Sequence, residues 1–185
     1  MTGAKRRFIG SLAIALALSV PSSAVADEEP IVLDPVTEWQ LDYGRGSCTL
    51  VRNFGNEGRQ VTLQMMRTVP SQMFHFIVSS RGWRLGDDAL KFAVLPDVAT
   101  SPTALQNRAE NSDAAAIRFD ASLRASTPDT AEPASEDRLA TVEGFLIERA
   151  FEHSFILRTG PLAAADQAMK ACVADLWSEK GVDLA

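Results

Sequence analysis

Much of the chain alternates between apolar and polar residues, which is the pattern of a half-buried β-strand. Residues 48–54 and 61–65 both alternate, and the Gly- and Asn-containing segment 55–58 separates them. Two alternating runs around such a break predict an antiparallel hairpin. Further runs predict strands at 74–78, 91–95, 117–123, 141–151 and 154–158, of which 91–95 is the least regular.

The last part of the chain has the three- and four-residue spacing of an amphipathic α-helix. Pro161 stands at a tolerated first position, and Gly181 stands where a C-terminal cap belongs. Asp166, Lys170, Asp175 and Lys180 lie off the apolar stripe, on the polar side of the helix. The stripe, which we expect to be core, consists of Leu162, Ala165, Met169, Cys172, Val173, Leu176 and Trp177.

Together these elements predict an α+β fold. We expect an antiparallel sheet or sandwich of about six to eight strands, with the C-terminal helix packed on one face. Residues 96–113 lack a clear period, and residues 125–137 are rich in Ser, Thr, Pro and acidic residues. Both segments predict mobile loops. The length favours a single globular domain over residues 27–185.

The N-terminus has the three-part pattern of a secretory signal peptide. A basic run at 5–7 precedes a short apolar stretch at 8–20, and small residues end at Ala26, directly before Asp27. An uncleaved anchor is the alternative, but the apolar stretch is short for a bilayer crossing. We therefore expect a signal peptide at residues 1–26 and a periplasmic or secreted mature chain without a stable membrane anchor.

The chain is acidic, with 24 Asp and Glu against 18 Lys and Arg, a formal charge of −6. Cleavage after Ala26 would leave 15 basic against 24 acidic residues, a formal charge of −9. The remaining basic residues are scattered singly along the sequence. Phosphate contacts need clustered Lys and Arg, so the composition argues against binding nucleic acid or an anionic membrane surface.

Cys48 and Cys172 are the two cysteines of the chain. An even number in an oxidising compartment makes a disulfide the expected state, and two separate buried thiols are the alternative. Neither cysteine has a spacing typical of redox-active or zinc sites. Because Cys172 lies on the apolar stripe, a bridge would hold the C-terminal helix against the inner face of an early strand.

The sequence contains no recognisable reaction site. His75 alternates with Phe74 and Phe76, which favours a surface position on a sheet, and His153 lies at a break between two predicted strands. Neither histidine belongs to a metal-ligand pattern, and the chain has no serine-hydrolase nucleophile elbow. We therefore assign no catalytic, cofactor-binding or metal-binding residue from the sequence.

Trp83 is the aromatic residue that we expect near the surface. Arg81 and Arg84 flank it in a predicted loop after Ser79 and Ser80. Tryptophan and arginine are enriched at the hot spots of protein interfaces. Arg81, Trp83 and Arg84 are therefore the candidate partner contact.

Five segments, at 39–43, 47–55, 61–63, 157–160 and 169–183, carry a resemblance to known proteins. They are similar to a group of uncharacterised exported alphaproteobacterial proteins of the sphingomonad type. In that group a similar module stands alone or precedes a TonB-type C-terminal domain. The resemblance implies a cysteine at each of the two positions found here, which supports the bridge. A weaker likeness is to the invasion-associated locus B family of small exported β-sandwich proteins, through an early Trp…Cys segment and the strand pattern.

The resulting expectation is a non-catalytic periplasmic binding or interaction module with an envelope protein as its partner. One alternative is a hydrolase-like enzyme that uses His75 or His153 with nearby acids. Another is a small-ligand carrier with a cavity between sheet and helix. A deep pocket with a histidine would favour the enzyme, a closed apolar cavity the carrier, and a flat exposed patch the interaction module.

Overall fold

The computed structural model describes residues 29–44, 46–70, 73–86, 90–96, 101–102, 105–110, 114–123, 136–148 and 150–181. The predicted signal peptide at residues 1–26 lies outside these residues, and so does most of the predicted loop at 125–137.

A six-stranded antiparallel sheet forms one layer of the described fold, with strand order β2-β3-β4-β5-β9-β8. The predicted hairpin lies at its centre, where Cys48 is paired with Arg67 and Asn56 with Arg59. Gly58 has a φ of 93°, which suits the tight turn between the two strands because glycine has no Cβ to clash there. The strands are β2 (Gln40–Tyr43), β3 (Cys48–Asn56), β4 (Arg59–Arg67), β5 (Met73–Arg81), β8 (Leu105–Glu110) and β9 (Ala115–Ser122).

A five-stranded sheet with strand order β1-β11-β10-β6-β7 forms the second layer. The pairing of β1 with β11 is parallel, whereas the other described strand pairs are antiparallel. The strands of this smaller sheet are β1 (Ile31–Leu33), β6 (Lys91–Leu95), β7 (Ser101–Pro102), β10 (Gly144–Glu148) and β11 (Phe155–Leu157).

Four phenylalanines join the two sheets. The rings of Phe76 and Phe119, on neighbouring strands of the larger sheet, stack with 5.1 Å between their centroids. Phe92 and Phe145 of the smaller sheet approach Phe76 at 5.2 and 5.6 Å. Aromatic pairs at these distances contribute beyond the area that they bury. The core of the sandwich therefore lies between the sheets, on the even-numbered face of β5 and the odd-numbered face of β9.

Helix α2 (Ala163–Glu179) packs against β3 at one end of the larger sheet. Cys172 forms a disulfide with Cys48 across 124 positions of the chain, with 6.1 Å between the two Cα atoms. Both cysteines are buried, as are Met169 and Val173 on the same stripe. Leu176 and Trp177, at the end of the stripe, are half-buried.

The predicted α+β architecture and the Cys48–Cys172 disulfide are confirmed. The described residues contain eleven strands, several of them only two or three residues long, where the sequence predicted about six to eight. The predicted loop at 96–113 is wrong for β7 and β8, because backbone pairing with β6 and β9 makes strands there without an alternating sequence. A short helix, α1 (Glu136–Thr141), stands where the end of the second loop and the start of a strand were predicted.

Candidate functional site

Trp83 is not at the surface, so the candidate partner contact at Arg81, Trp83 and Arg84 is wrong in its central residue. The tryptophan is 5 % exposed. Its ring lies 4.9 Å from Phe155 and 6.4 Å from Phe151, measured between centroids. The flanking arginines misled the sequence-based prediction.

The backbone explains how Trp83 reaches the core. Gly82 has a φ of 81°, a conformation that turns the chain directly after β5 ends. The following residues then run beside 150–152, where Gly86 donates to the Ala150 carbonyl and Glu152 donates to the Arg84 carbonyl. This pairing directs Trp83 inwards, and Arg81 and Arg84 outwards.

Arg81 and Arg84 are both exposed, but without the tryptophan they do not make an aromatic contact patch. Arg81 lines a shallow cleft of about 680 Å³ beside the β3–β4 turn, together with Val36, Glu57 and Gly82. This cleft lies at the end of the larger sheet where that hairpin turns.

His75 pairs with Asp120 on the outer face of the larger sheet. The two residues are directly opposite each other on β5 and β9, and the His75 Nδ1 atom contacts the Asp120 Oδ1 atom. Their side chains are 39 % and 30 % exposed. The carboxylate orients the imidazole, as a general base would require. However, neither His75 nor Asp120 lines the cleft beside the β3–β4 turn.

His153 belongs to a different environment. Its ring lies 6.2 Å from the ring of Trp83, beside the aromatic cluster at the edge of the core. Within the described ranges, no three His, Cys, Asp or Glu side chains are grouped so that they would hold a metal ion. None of the helices described has the length and hydropathy that a bilayer crossing requires.

A buried ion pair lies beside the disulfide. The Arg67 Nη1 atom is 3.1 Å from the Asp166 Oδ1 atom, and both side chains are about 95 % buried (6 % and 5 % exposed). The Arg67 guanidinium also stacks on Phe74, 4.0 Å from the ring centroid. Burial lowers the pKa of Arg67, and the charge of Asp166 opposes that shift. Asp166 is therefore buried, although the sequence pattern places it on the polar side of the helix.

The sequence contained one signal for this pair. Arg67 continues the parity of Val61, Leu63 and Met65, whose side chains face the core. A charged residue at a core position of a strand requires a charged partner, because an unpaired buried charge is costly. The alternation of β4 identifies Arg67 as buried, but only the packing of α2 identifies Asp166 as its partner.

The substitution Asp166→Asn should lower the free energy of unfolding by about 3 kcal/mol, because it leaves the Arg67 charge buried without a counterion. The retained amide oxygen, which can still accept a hydrogen bond, keeps this loss at the lower end of the range for broken buried pairs. Urea denaturation would measure it. The control is Lys170→Gln, which removes the exposed partner of Asp166 and should cost less than about 1 kcal/mol. Equal losses in the two variants would contradict the prediction.

Exposed apolar side chains are grouped at the α2 end of the larger sheet. Tyr43 ends β2 and is 65 % exposed, and Val69 follows β4 and is 43 % exposed. Met73 at the start of β5 is 46 % exposed, but it lies on the other face of the sheet, with His75. The half-buried Trp177 of α2 donates from Nε1 to the Thr68 carbonyl at 2.9 Å, which places its indole at the same end. We call Tyr43, Val69 and Trp177 the apolar end patch.

The apolar end patch is not visible in the sequence, because its members come from segments that meet only in the folded chain. The strand register places the ends of β2, β3 and β4 side by side, since Tyr43 is opposite Cys48 and Cys48 is opposite Arg67.

No protein-family model, curated protein or solved structure matches this chain. The apolar end patch therefore has to be interpreted from its own chemistry.

Proposed function

We propose that this chain is an exported, non-catalytic interaction module that binds an envelope protein in the periplasm through the apolar end patch. The signal-peptide pattern at residues 1–26 supports the compartment. The resemblance of the terminal segments to exported modules that precede TonB-type domains supports an envelope partner. The observation that carries the proposal is the exposure of Tyr43 and Val69 at the end of the larger sheet where Trp177 of α2 contacts Thr68.

The composition of the apolar end patch suits a protein partner. Aromatic residues are enriched in protein interfaces, and large exposed apolar groups that lie together mark such surfaces. The net charge of −6 disfavours an anionic lipid surface or a nucleic acid as the occupant. The same charge favours a partner whose apolar contact surface lies in a basic environment, because opposite charges accelerate association.

Site-specific photo-crosslinking in cells that export this chain to the periplasm would test the proposal. A photoreactive residue at Tyr43 or at Val69 should crosslink to one defined protein, because both positions lie within the proposed interface. The matched control position is Val36, which is 53 % exposed but lies beside the β3–β4 turn, away from α2. The crosslinked partner would then be identified by mass spectrometry and purified.

Affinity measurements with the purified partner would complete the test. The double variant Tyr43→Ala and Val69→Ala should weaken binding by more than tenfold, as expected where anchoring residues are truncated. Val36→Ala should leave the affinity for the partner unchanged. The association rate of the unaltered protein with the partner should fall as salt is added, because salt screens the attraction between opposite charges. Crosslinks of equal yield from Tyr43 and Val36, or unchanged affinity of the double variant, would refute the proposal.

A further inference from the structure

The outer face of the smaller sheet carries an apolar row. Val32 is opposite Ile156, Ile156 is opposite Leu146, and Leu146 is opposite Ala93, so the row crosses four strands. These residues alternate with the core-facing Phe92 and Phe145 and so lie on the opposite face. A solvated face of a sheet normally carries polar residues. Leu146 and Ala93 are buried in the folded chain, whereas Val32 leaves an apolar side chain open to solvent at one end of the row.

The exposed end of the apolar row opens into a cleft of about 590 Å³. Val32 and Ile156 form part of its wall, and Leu95 adds further aliphatic surface. Val32 is 43 % exposed, so this wall is accessible. The volume lies within the range of small-molecule sites, which are mostly apolar with a few polar groups that set orientation.

Two opposite charges line the same cleft. Arg158 and Glu143 both border it, and both are exposed. Their backbones lie near each other, because Gly160, two residues after Arg158, donates to the Glu143 carbonyl at 3.1 Å. The cleft thus presents a cation, an anion and an aliphatic wall to one ligand.

Asp34 competes for the cation. The Arg158 Nη1 atom lies 3.1 Å from the Asp34 Oδ1 atom, and the two side chains are 61 % and 71 % exposed. An ion pair as exposed as this one is weak. A ligand carboxylate can therefore displace Asp34 from Arg158 at little cost.

We propose that this cleft binds a short zwitterionic peptide with aliphatic side chains. The carboxylate of the peptide pairs with Arg158, its ammonium group pairs with Glu143, and its side chains lie against Val32 and Ile156. No bond forms or breaks in this binding. The cleft belongs to the smaller sheet and the apolar end patch to the larger one, so the inference does not depend on the proposed interaction module.

Titrations of the protein purified from the periplasm, followed by calorimetry and by amide NMR shifts, would test this inference. The probe is the dipeptide Leu-Leu, and saturable shifts are expected at Val32, Leu95 and Gly160. Ala-Ala should bind at least tenfold more weakly, because each buried methylene contributes about fourfold in affinity. Leu-Leu amide lacks the carboxylate, and N-acetyl-Leu-Leu lacks the ammonium group.

Variants that remove one charge at a time measure the contributions of Arg158 and Glu143 separately. Arg158→Gln should weaken Leu-Leu binding about three- to tenfold but leave binding of the amide unchanged. Glu143→Gln should weaken Leu-Leu but not the N-acetyl form. Asp34→Asn should strengthen Leu-Leu binding, because it releases Arg158. Absence of saturable binding, or equal losses for Leu-Leu and its amide in Arg158→Gln, would overturn the inference.

Discussion

Removal of the Cys48–Cys172 disulfide should lower the free energy of unfolding by about 5 kcal/mol in the chain-entropy account. The bridge joins positions 124 residues apart, so it closes a loop that includes most of the fold. Without it the unfolded chain gains the entropy of that open loop. The double variant Cys48→Ala and Cys172→Ala should therefore unfold at a much lower urea concentration than the oxidised protein.

The control for this prediction is the oxidised protein unfolded with and without reductant. Cys48 and Cys172 are both buried, so reductant should reach the disulfide mainly after the chain has unfolded. The reduced protein and the double variant should then show similar midpoints. A double variant within 1 kcal/mol of the oxidised protein, measured by the same urea titration, would contradict a role of the bridge in stability.

The substitution Trp83→Ala should cost about 3–5 kcal/mol of unfolding free energy. The indole is 5 % exposed and packs against Phe155, Phe151 and the ring of His153. Its loss removes a large apolar surface and leaves a cavity that β11 cannot fill, since the strand is held by β1 and β10.

Arg84→Ala is the matched control for Trp83→Ala. The arginine is the next residue in the chain and is exposed, so its removal should change stability by no more than about 0.5 kcal/mol. Thermal melts of both variants would measure the difference. A Trp83→Ala protein as stable as Arg84→Ala would mean that the tryptophan does not support the core.

The local elements of this fold were largely predictable because each has its own periodicity. The alternation on both sides of 55–58 predicted the β3–β4 hairpin, and the spacing of apolar residues predicted α2 within a few residues of its ends. Strand β8 was not predictable in this way. It forms through backbone pairing with β9, for which the sequence 105–110 carries no alternating signal.

The candidate sites were less predictable than the fold. Trp83 was assigned to the surface because of its arginine neighbours, whereas the turn at Gly82 directs it into the core. Asp166 was assigned to the polar side of the helix because the helical pattern places apolar residues, not charged ones, on the buried side. Asp166 is nevertheless buried, because Arg67 lies opposite it and neutralises its charge. The apolar end patch and the Arg158–Glu143 cleft each combine residues from distant segments.

By itself, the sequence determined the strands that have an alternating pattern, the C-terminal helix, and which two cysteines were available to pair. Those properties follow from the order of apolar and polar residues over a few positions, so neighbouring residues suffice to fix them. The tertiary structure alone decided that Trp83 and Asp166 are buried, and that Tyr43 and Val69 share one end of a sheet. Exposure and proximity depend on which segments pack together, and that packing joins residues more than a hundred positions apart.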